Sequence, residues 1–485
     1  MVTLRSLRSI RSGPVTDPSH TAVADATRYF DTWLAFRQQY DRVPGLQAAV
    51  LHHDKLLLST AHGCADVESA TTLTPRHLFR IASHSKTFTA TAVLQLVERG
   101  ALRLDDQAGQ WLPFLSGRPL ATVTVRDLLG HGGGVVRDSR DADFWQLVHA
   151  FPDEDRLRAI LLDGAEVLPA NERFKYSNIG YSMLGMIIAA ASGRSYHEYV
   201  REHIVDELDL ANTGPEYDMA RAGDYATGYT ALTYADRRIP IDHVDTAAMA
   251  AAAGFFSTAE DLVHYASAHF LGDARLVSDA SKRLMQRAEW KIEGADAEYG
   301  LGFGRAMLGE RLVFGHGGGY PGHITRTSFD PVGQIAVSVL TNAIDGPAHM
   351  LAEGLFRLVN LAQRAEPQSG TPVDPARFTG RFANLWRVFD VVDLAGRLYL
   401  LDPTQKDPTA EPVILDVVDE RTLRLSGGGG YGPVGETMHY EYGAAGVVSV
   451  SAFAMTAYPV RRITEAVRRR DRVSPGTPLV DRSGD

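Results

Sequence analysis

The chain has 485 residues, a formal net charge of −10, 45% hydrophobic residues and 22% charged residues. That length allows two or three domains, and the balance is that of an ordinary globular protein. The negative charge argues against a nucleic-acid binder, because phosphate backbones want basic surfaces. No apolar run approaches the ~20 residues that span a bilayer. Cys64 is the single cysteine, so an internal disulfide is impossible and a reducing compartment fits. The expectation is a cytoplasmic protein with no membrane or nucleic-acid partner. Its oligomeric state is left open.

The first 20 residues carry arginines at 5, 8 and 11 and lack the apolar core of a secretory signal. They read as a flexible leader, with a transit-like segment as the alternative. Ala22, Ala26, Tyr29, Phe30, Trp33 and Leu34 recur at helical spacing and predict a helix over about 22–40. Strand patterns over about 46–52 and 55–62, joined by His53-Asp54, suggest a hairpin. From Ser83 a helix pattern runs to about Glu98, with Gly100 as its C-cap. The middle, about 105–290, reads as mostly helical with long loops, with pieces at 142–150, 154–163, 179–192, 195–207 and 258–270. Strand character returns at 299–305, 311–315, 323–330 and 334–341, and a helix follows at about 346–364.

Residues 366–375 are a linker by composition. Six short strands are expected beyond it, at 387–393, 397–401, 413–417, 421–425, 437–442 and 446–451. They suggest a small antiparallel barrel or sandwich. Gly427 to Gly430 read as a loop, 460–472 as an arginine-rich solvated face, and 473–485 as a flexible tail. The fold class is therefore α+β: an antiparallel sheet flanked by helices over 21–365, followed by a β-rich domain over 376–472.

Chemistry concentrates in three places. Ser83 and Lys86 are three residues apart and share one face of a helix. At a helix N-terminus, free N–H groups favour an oxyanion and disfavour a second cation. A buried Lys86 there would have a lowered pKa and could take the serine proton. Taken alone, S-x-x-K reads more readily as a helix cap beside a surface lysine. Tyr176-Ser177-Asn178 adds a phenol able to relay protons and an amide able to bind a carbonyl. Taken alone, that is an N-cap Asn beside a core Tyr. Gly315-His316-Gly317-Gly318-Gly319-Tyr320 lies between two strand patterns, where glycines permit close backbone approach. His316 could bind a polar group or assist proton transfer, and a Gly-rich hairpin is the alternative.

In this order the three elements resemble the serine β-lactamase and penicillin-binding-protein superfamily. The closer similarity is to the class C β-lactamase-like branch, with its D-aminopeptidases, carboxylesterases and acyltransferases. Further landmarks include Phe79 to Ser83, Leu96 to Gly100, Thr124 to Leu129, Gly254 to Thr258 with Asp261, and Leu340-Thr341-Asn342. The resemblance implies a β-lactamase-like fold with an all-helical subdomain. It implies that Ser83 attacks and is acylated, that Lys86 and Tyr176 share acid–base work, and that Asn178 helps hold Lys86 and the substrate amide. The N–H groups of Ser83 and Gly319 would form the oxyanion hole, with Gly318 and His316 lining the same strand. No metal or cofactor is implied.

Two departures stand out. His316-Gly317-Gly318 replaces the Lys-Thr-Gly of lactamases in this branch. A histidine is mostly neutral at pH 7 and grips a substrate carboxylate less well. That favours small esters, amides or D-amino-acid peptides over β-lactams. The appended β-rich region is similar in kind to the barrels of D-aminopeptidase-like relatives. Alternatives are a penicillin-binding sensor that deacylates slowly and an acyltransferase using the same site. His131-Gly132-Gly133-Gly134 resembles an α/β-hydrolase oxyanion loop, but no G-x-S-x-G elbow accompanies it, so it reads as a loop near the site. His197-Glu198 lacks the second histidine of a zinc motif.

Overall fold

The computed structural model describes residues 20–368, 373–428 and 434–463. The expected leader up to residue 19, the tail 473–485 and most of the arginine-rich stretch lie outside the described residues. The linker and the Gly427–Gly430 loop are described in part.

A nine-stranded antiparallel sheet forms the centre of the first unit. In chain order its strands are β1 (Gly45–His52), β2 (Lys55–Asp66), β3 (Thr71–Thr72), β4 (Trp290–Lys291), β5 (Glu298–Tyr299), β6 (Gly304–Leu308), β7 (Arg311–Tyr320), β8 (His323–Asp330) and β9 (Ile335–Thr341). Across the sheet they run β3-β2-β1-β9-β8-β7-β6-β5-β4. The N-terminal hairpin thus completes a sheet built mainly from late strands, with Leu46 opposite Thr341 and Val50 opposite Val337. β1 is buried along its whole length. Both faces must therefore be covered, and alternate residues go to different cores.

On one face Leu46, Ala48, Val50, Val337 and Val339 pack under α1 (His20–Tyr40) and a late helix, Ala348–Gln363. Trp33 is fully buried there against Gly354, where an added Cβ would lie 2.4 Å from the indole. On the other face Ala49, Leu51, Ala336 and Leu340 pack under α4 (Ala259–Ser267) and share a core with α2 (Ser85–Glu98) and α3 (Asn178–Ser192). The late helix is α5. Gly100 follows α2 with φ of +71°, as a C-capping glycine does.

The middle is less helical than its pattern predicts. Over 142–150 only a 3₁₀ turn forms, Asp143–Gln146, and Leu147 ends it at φ +59°. Phe144 is buried and Trp145 Nε1 donates to Asp138 at 2.8 Å, so tertiary anchors override local propensity. A further helix, Asp279–Gln286, and the short strand β4 lie outside the expected pieces, and the strand expected over 299–305 is split between β5 and β6.

The C-terminal region is a closed eight-stranded antiparallel barrel. Six of its strands lie where the alternation places them. The two extra ones, Gly380–Ala383 and Met455–Pro459, pair with each other and seal it, Phe382 opposite Pro459. Closure leaves no unpaired edge. The barrel packs against α1, where Val392, Leu394, Tyr399 and Leu401 join the core beneath that helix. Among the described residues no helix is long and apolar enough to cross a membrane.

Candidate active site

Ser83 lies on the 3₁₀ turn Ala82–His84, which runs directly into α2. Ala82 has φ of +43°, a left-handed conformation that costs a non-glycine residue roughly 1 kcal/mol or more. Its neighbours hold it there. Ile81 N–H donates to Phe255 O at 3.0 Å, and the Ser85 hydroxyl donates to Ala82 O at 2.6 Å while accepting from Phe255 N–H at 3.0 Å. The two-residue ladder of Phe79–Arg80 with Phe256–Ser257 ties the same segments together. Arg80 reinforces it from below, bonded to Glu216 at 2.7 Å and to Val244 O at 2.7 Å. Burial pushes the Glu216 carboxyl up to about 7.

Lys86 is one helical turn on and fully buried. Its Nζ lies 3.0 Å from Ser83 Oγ, 2.7 Å from Asn178 Oδ1 and 2.8 Å from Ala252 O. Among the described residues it makes no ion pair. Burial therefore pulls its pKa well below the usual lysine value, opposed by Asp138 and reinforced by Arg137. The three neighbours fit a neutral amine: two hydrogens for the two carbonyl oxygens, one lone pair for the serine hydroxyl. They fit the ammonium equally, so a proton can arrive without any partner moving.

Tyr176 reaches Ser83 from the other side, its OH donating to Oγ at 2.9 Å. Burial raises its pKa, which keeps the phenol neutral near pH 7. The Ser177 hydroxyl caps α3 by accepting from Gly180 N–H at 2.8 Å, so the cap is Ser177 and Asn178 is left free to face Lys86. His131 lies beneath this loop, its ring centroid 4.3 Å from that of Tyr176. Its Nδ1 accepts from Ser177 N–H at 3.1 Å, which puts the proton of the neutral ring on Nε2. With Phe174, Tyr181 and Tyr299 it forms the aromatic packing that keeps water from Lys86.

On the opposite wall, β7 presents His316 to Tyr320. Gly318 has no room for a side chain: an added Cβ would lie 2.1 Å from Ile81 O. Gly319 is exposed, and its added Cβ would meet only Ile324, at 3.6 Å. His316 is occupied at both ring nitrogens, Nδ1 with Gly317 O at 2.6 Å and Nε2 with the Tyr299 hydroxyl at 3.1 Å. Burial holds its pKa well below the histidine norm, so it is neutral. A cavity of about 370 Å³ opens beside it, lined by Phe174, Tyr176, Tyr299, Gly317 and Arg326 among others. A larger one of about 560 Å³ lies behind α3, near Trp111 and Tyr196, away from Ser83.

The seven residues expected in the site lie close together: Lys86 and Tyr176 bond to Ser83, Asn178 bonds to Lys86, and the strand that carries His316, Gly318 and Gly319 packs against the turn that carries Ser83. Sequence reasoning missed Ser85, Asp138, Ala252 and Tyr299, which act through backbone or long-range contacts that no spacing encodes. The site comprises a hydroxyl between a buried amine and a phenol, facing a glycine strand, on an antiparallel sheet flanked by helices. Residues 34–362 match the Beta-lactamase family model, and the chain belongs to that family. Protein flp of Staphylococcus aureus (strain MW2) is 28% identical over 208 residues, 42% of this chain and 41% of that protein. The match thus spans about two fifths of that relative. The octameric penicillin-binding protein homologue from Pyrococcus abyssi superposes with a TM-score of 0.63 at 21% identity, covering 89% of this chain and 99% of that one. SurE, solved with D-Leu, gives 0.55 at 25% identity over 90% and 99%.

Proposed function

We propose that the protein is a serine hydrolase of the S-x-x-K type. It forms an acyl-enzyme on Ser83 and cleaves an ester or amide bond of a small substrate, a D-amino-acid peptide or amide or a carboxylic ester, rather than a β-lactam. One observation carries the reading: Ser83 Oγ is held between Lys86 Nζ and Tyr176 OH, with Lys86 buried and its countercharge withheld.

Neutral Lys86 takes the Ser83 proton as Oγ attacks the carbonyl carbon. The developing oxyanion is received by the backbone N–H groups of Ser83 and Gly319. The proton passes through Tyr176 to the leaving oxygen or nitrogen, which departs and leaves the ester on Ser83. Water then attacks that ester, Tyr176 and Lys86 removing its proton, and the acid leaves as Oγ is reprotonated. Asn178 steadies Lys86 and offers its amide to the substrate. Neutral His316, bonded at both nitrogens, supports the departure from β-lactams because it supplies no cation for a carboxylate. The D-Leu bound in SurE supports D-amino-acid substrates. On this reading residues 21–365 are the catalytic unit and 376–472 an appended domain.

The test is a panel of p-nitrophenyl esters, D- and L-amino-acid anilides and a chromogenic cephalosporin, run with the parent and Ser83→Ala. Turnover of an ester or D-anilide should fall at least about 10³-fold in Ser83→Ala. Full activity in that variant on every substrate the parent uses would sink the proposal.

A further inference from the structure

Asn178 accepts from Lys86 only with its oxygen turned inward. A side-chain amide has an oxygen at one end and an NH₂ at the other, nearly equal in shape. Here Oδ1 lies 2.7 Å from Lys86 Nζ, and Nδ2 lies 2.7 Å from Asp138 Oδ1. A carboxylate accepts hydrogen bonds and cannot donate them, so it admits the NH₂ end alone. Asp138 is itself held. Trp145 Nε1 donates to the same oxygen at 2.8 Å, and Arg137 Nε lies 3.4 Å from Oδ2. Arg137 O accepts from the N–H groups of Asn178 at 2.8 Å and Ile179 at 3.2 Å, so this turn and the start of α3 are joined.

We propose that Asp138 is a positioning residue that locks the Asn178 amide with its oxygen on Lys86. The inference rests on the reading of Ser83 and Lys86 given above. It assigns to Asp138 a second effect. Its negative charge favours protonated Lys86, against burial and the Arg137 guanidinium. The other titratable groups around Lys86 are Tyr176, Tyr181, His131 and His316. Burial holds all four neutral near pH 7. Asp138 therefore trades basicity for orientation, and removing its charge separates the two.

Asp138→Asn and Asp138→Ser both remove the charge, and either one that folds suffices. Turnover is followed with the p-nitrophenyl ester the parent hydrolyses fastest. In Asp138→Asn the new amide can offer its own NH₂ to Asn178, which lets that side chain turn over. We expect kcat/KM to fall about tenfold, the equivalent of one charge-assisted hydrogen bond. The acid limb of the pH profile should move to lower pH, because Lys86 then loses its proton more readily. In an Asn178→Ala background the same change should cost less than about twofold, since the group it orients is gone. An unmoved acid limb, or full additive losses in the double variant, would overturn the assignment. Ser83→Ala is run in parallel: if it stays active, the underlying reading fails as well; if it is inactive and Asp138→Asn is indifferent, the fault lies with Asp138 alone.

Discussion

Two buried polar clusters divide the molecule between chemistry and construction. At the barrel interface, Asp390 receives Arg381 through two hydrogen bonds of 2.7 Å and the Tyr29 hydroxyl through one of 2.8 Å. Charge and countercharge match there, and burial pushes the Asp390 carboxyl up while Arg381 pulls it back. At Ser83 the burial is as deep, but Lys86 meets only neutral oxygens, and the Asp138 carboxylate stands one amide away. The same desolvation that a matched pair offsets becomes, without a matching partner, a lowered lysine pKa. Burial with a countercharge builds; burial without one lowers the lysine pKa, which the proposed function uses as a base.

The largest effect should come from removing that base. Lys86→Met is expected to lower kcat/KM by about 10³-fold or more. Stability should respond in the opposite sense as pH falls. A lysine whose folded pKa is depressed stabilises the fold most above its unfolded pKa near 10.5, and that contribution is lost as pH falls toward the folded value. The Tm of Lys86→Met relative to the parent should therefore rise between pH 10 and pH 7. A difference that stays flat over that interval would mean Lys86 carries a hidden partner. Kinetics give the same sign: with the neutral amine as the active form, as the proposed function requires, kcat/KM should climb with pH through the Lys86 pKa.

Asp390→Ala breaks the other cluster and leaves the Arg381 guanidinium unpaired. Removing one member of a buried pair costs about 3–5 kcal/mol. Thermal unfolding should move down by several degrees, while kcat/KM per folded molecule stays at the parent value. A loss of activity matching that of Lys86→Met would show that the barrel takes part in the chemistry.

The two clusters also differ in how they can be read from sequence. Ser83 sits on the turn that runs into the Lys86 helix, and Tyr176 and Asn178 flank the cap of another, so local spacing carried both pairs. The middle folds around Phe144 and Trp145 through contacts to Asp138 and Phe151 that do not follow helical spacing. The pairing of β1 with β9 depends on contacts far apart in the chain. So does the Tyr29–Asp390 bond, which joins positions 361 apart. Asp138 was hidden for the same reason: its partner Asn178 is 40 residues away and the link is a side-chain amide. The barrel was half legible. Its six interior strands alternate clearly, whereas Gly380–Ala383 and Met455–Pro459 are short and take their meaning from closing on each other.

The smallest effects sharpen the glycine wall that the reactive cluster faces and the barrel cluster lacks. Gly318 and Gly319 are adjacent on β7, yet space treats them oppositely. In Gly318→Ala the methyl would enter Ile81 O at 2.1 Å, so the strand must move away from the turn that carries Ser83. A misplacement of that kind, by about 1 Å, can cost about 10²-fold in rate. In Gly319→Ala the methyl meets only Ile324, at an ordinary 3.6 Å, and the residue keeps its backbone N–H. If that N–H is the oxyanion donor, Gly319→Ala should retain kcat/KM within about threefold, well under the cost of losing such a donor. Steady-state kinetics of the two variants on one ester decide it. Equal losses would mean that the wall acts through open space at both glycines rather than through backbone at one.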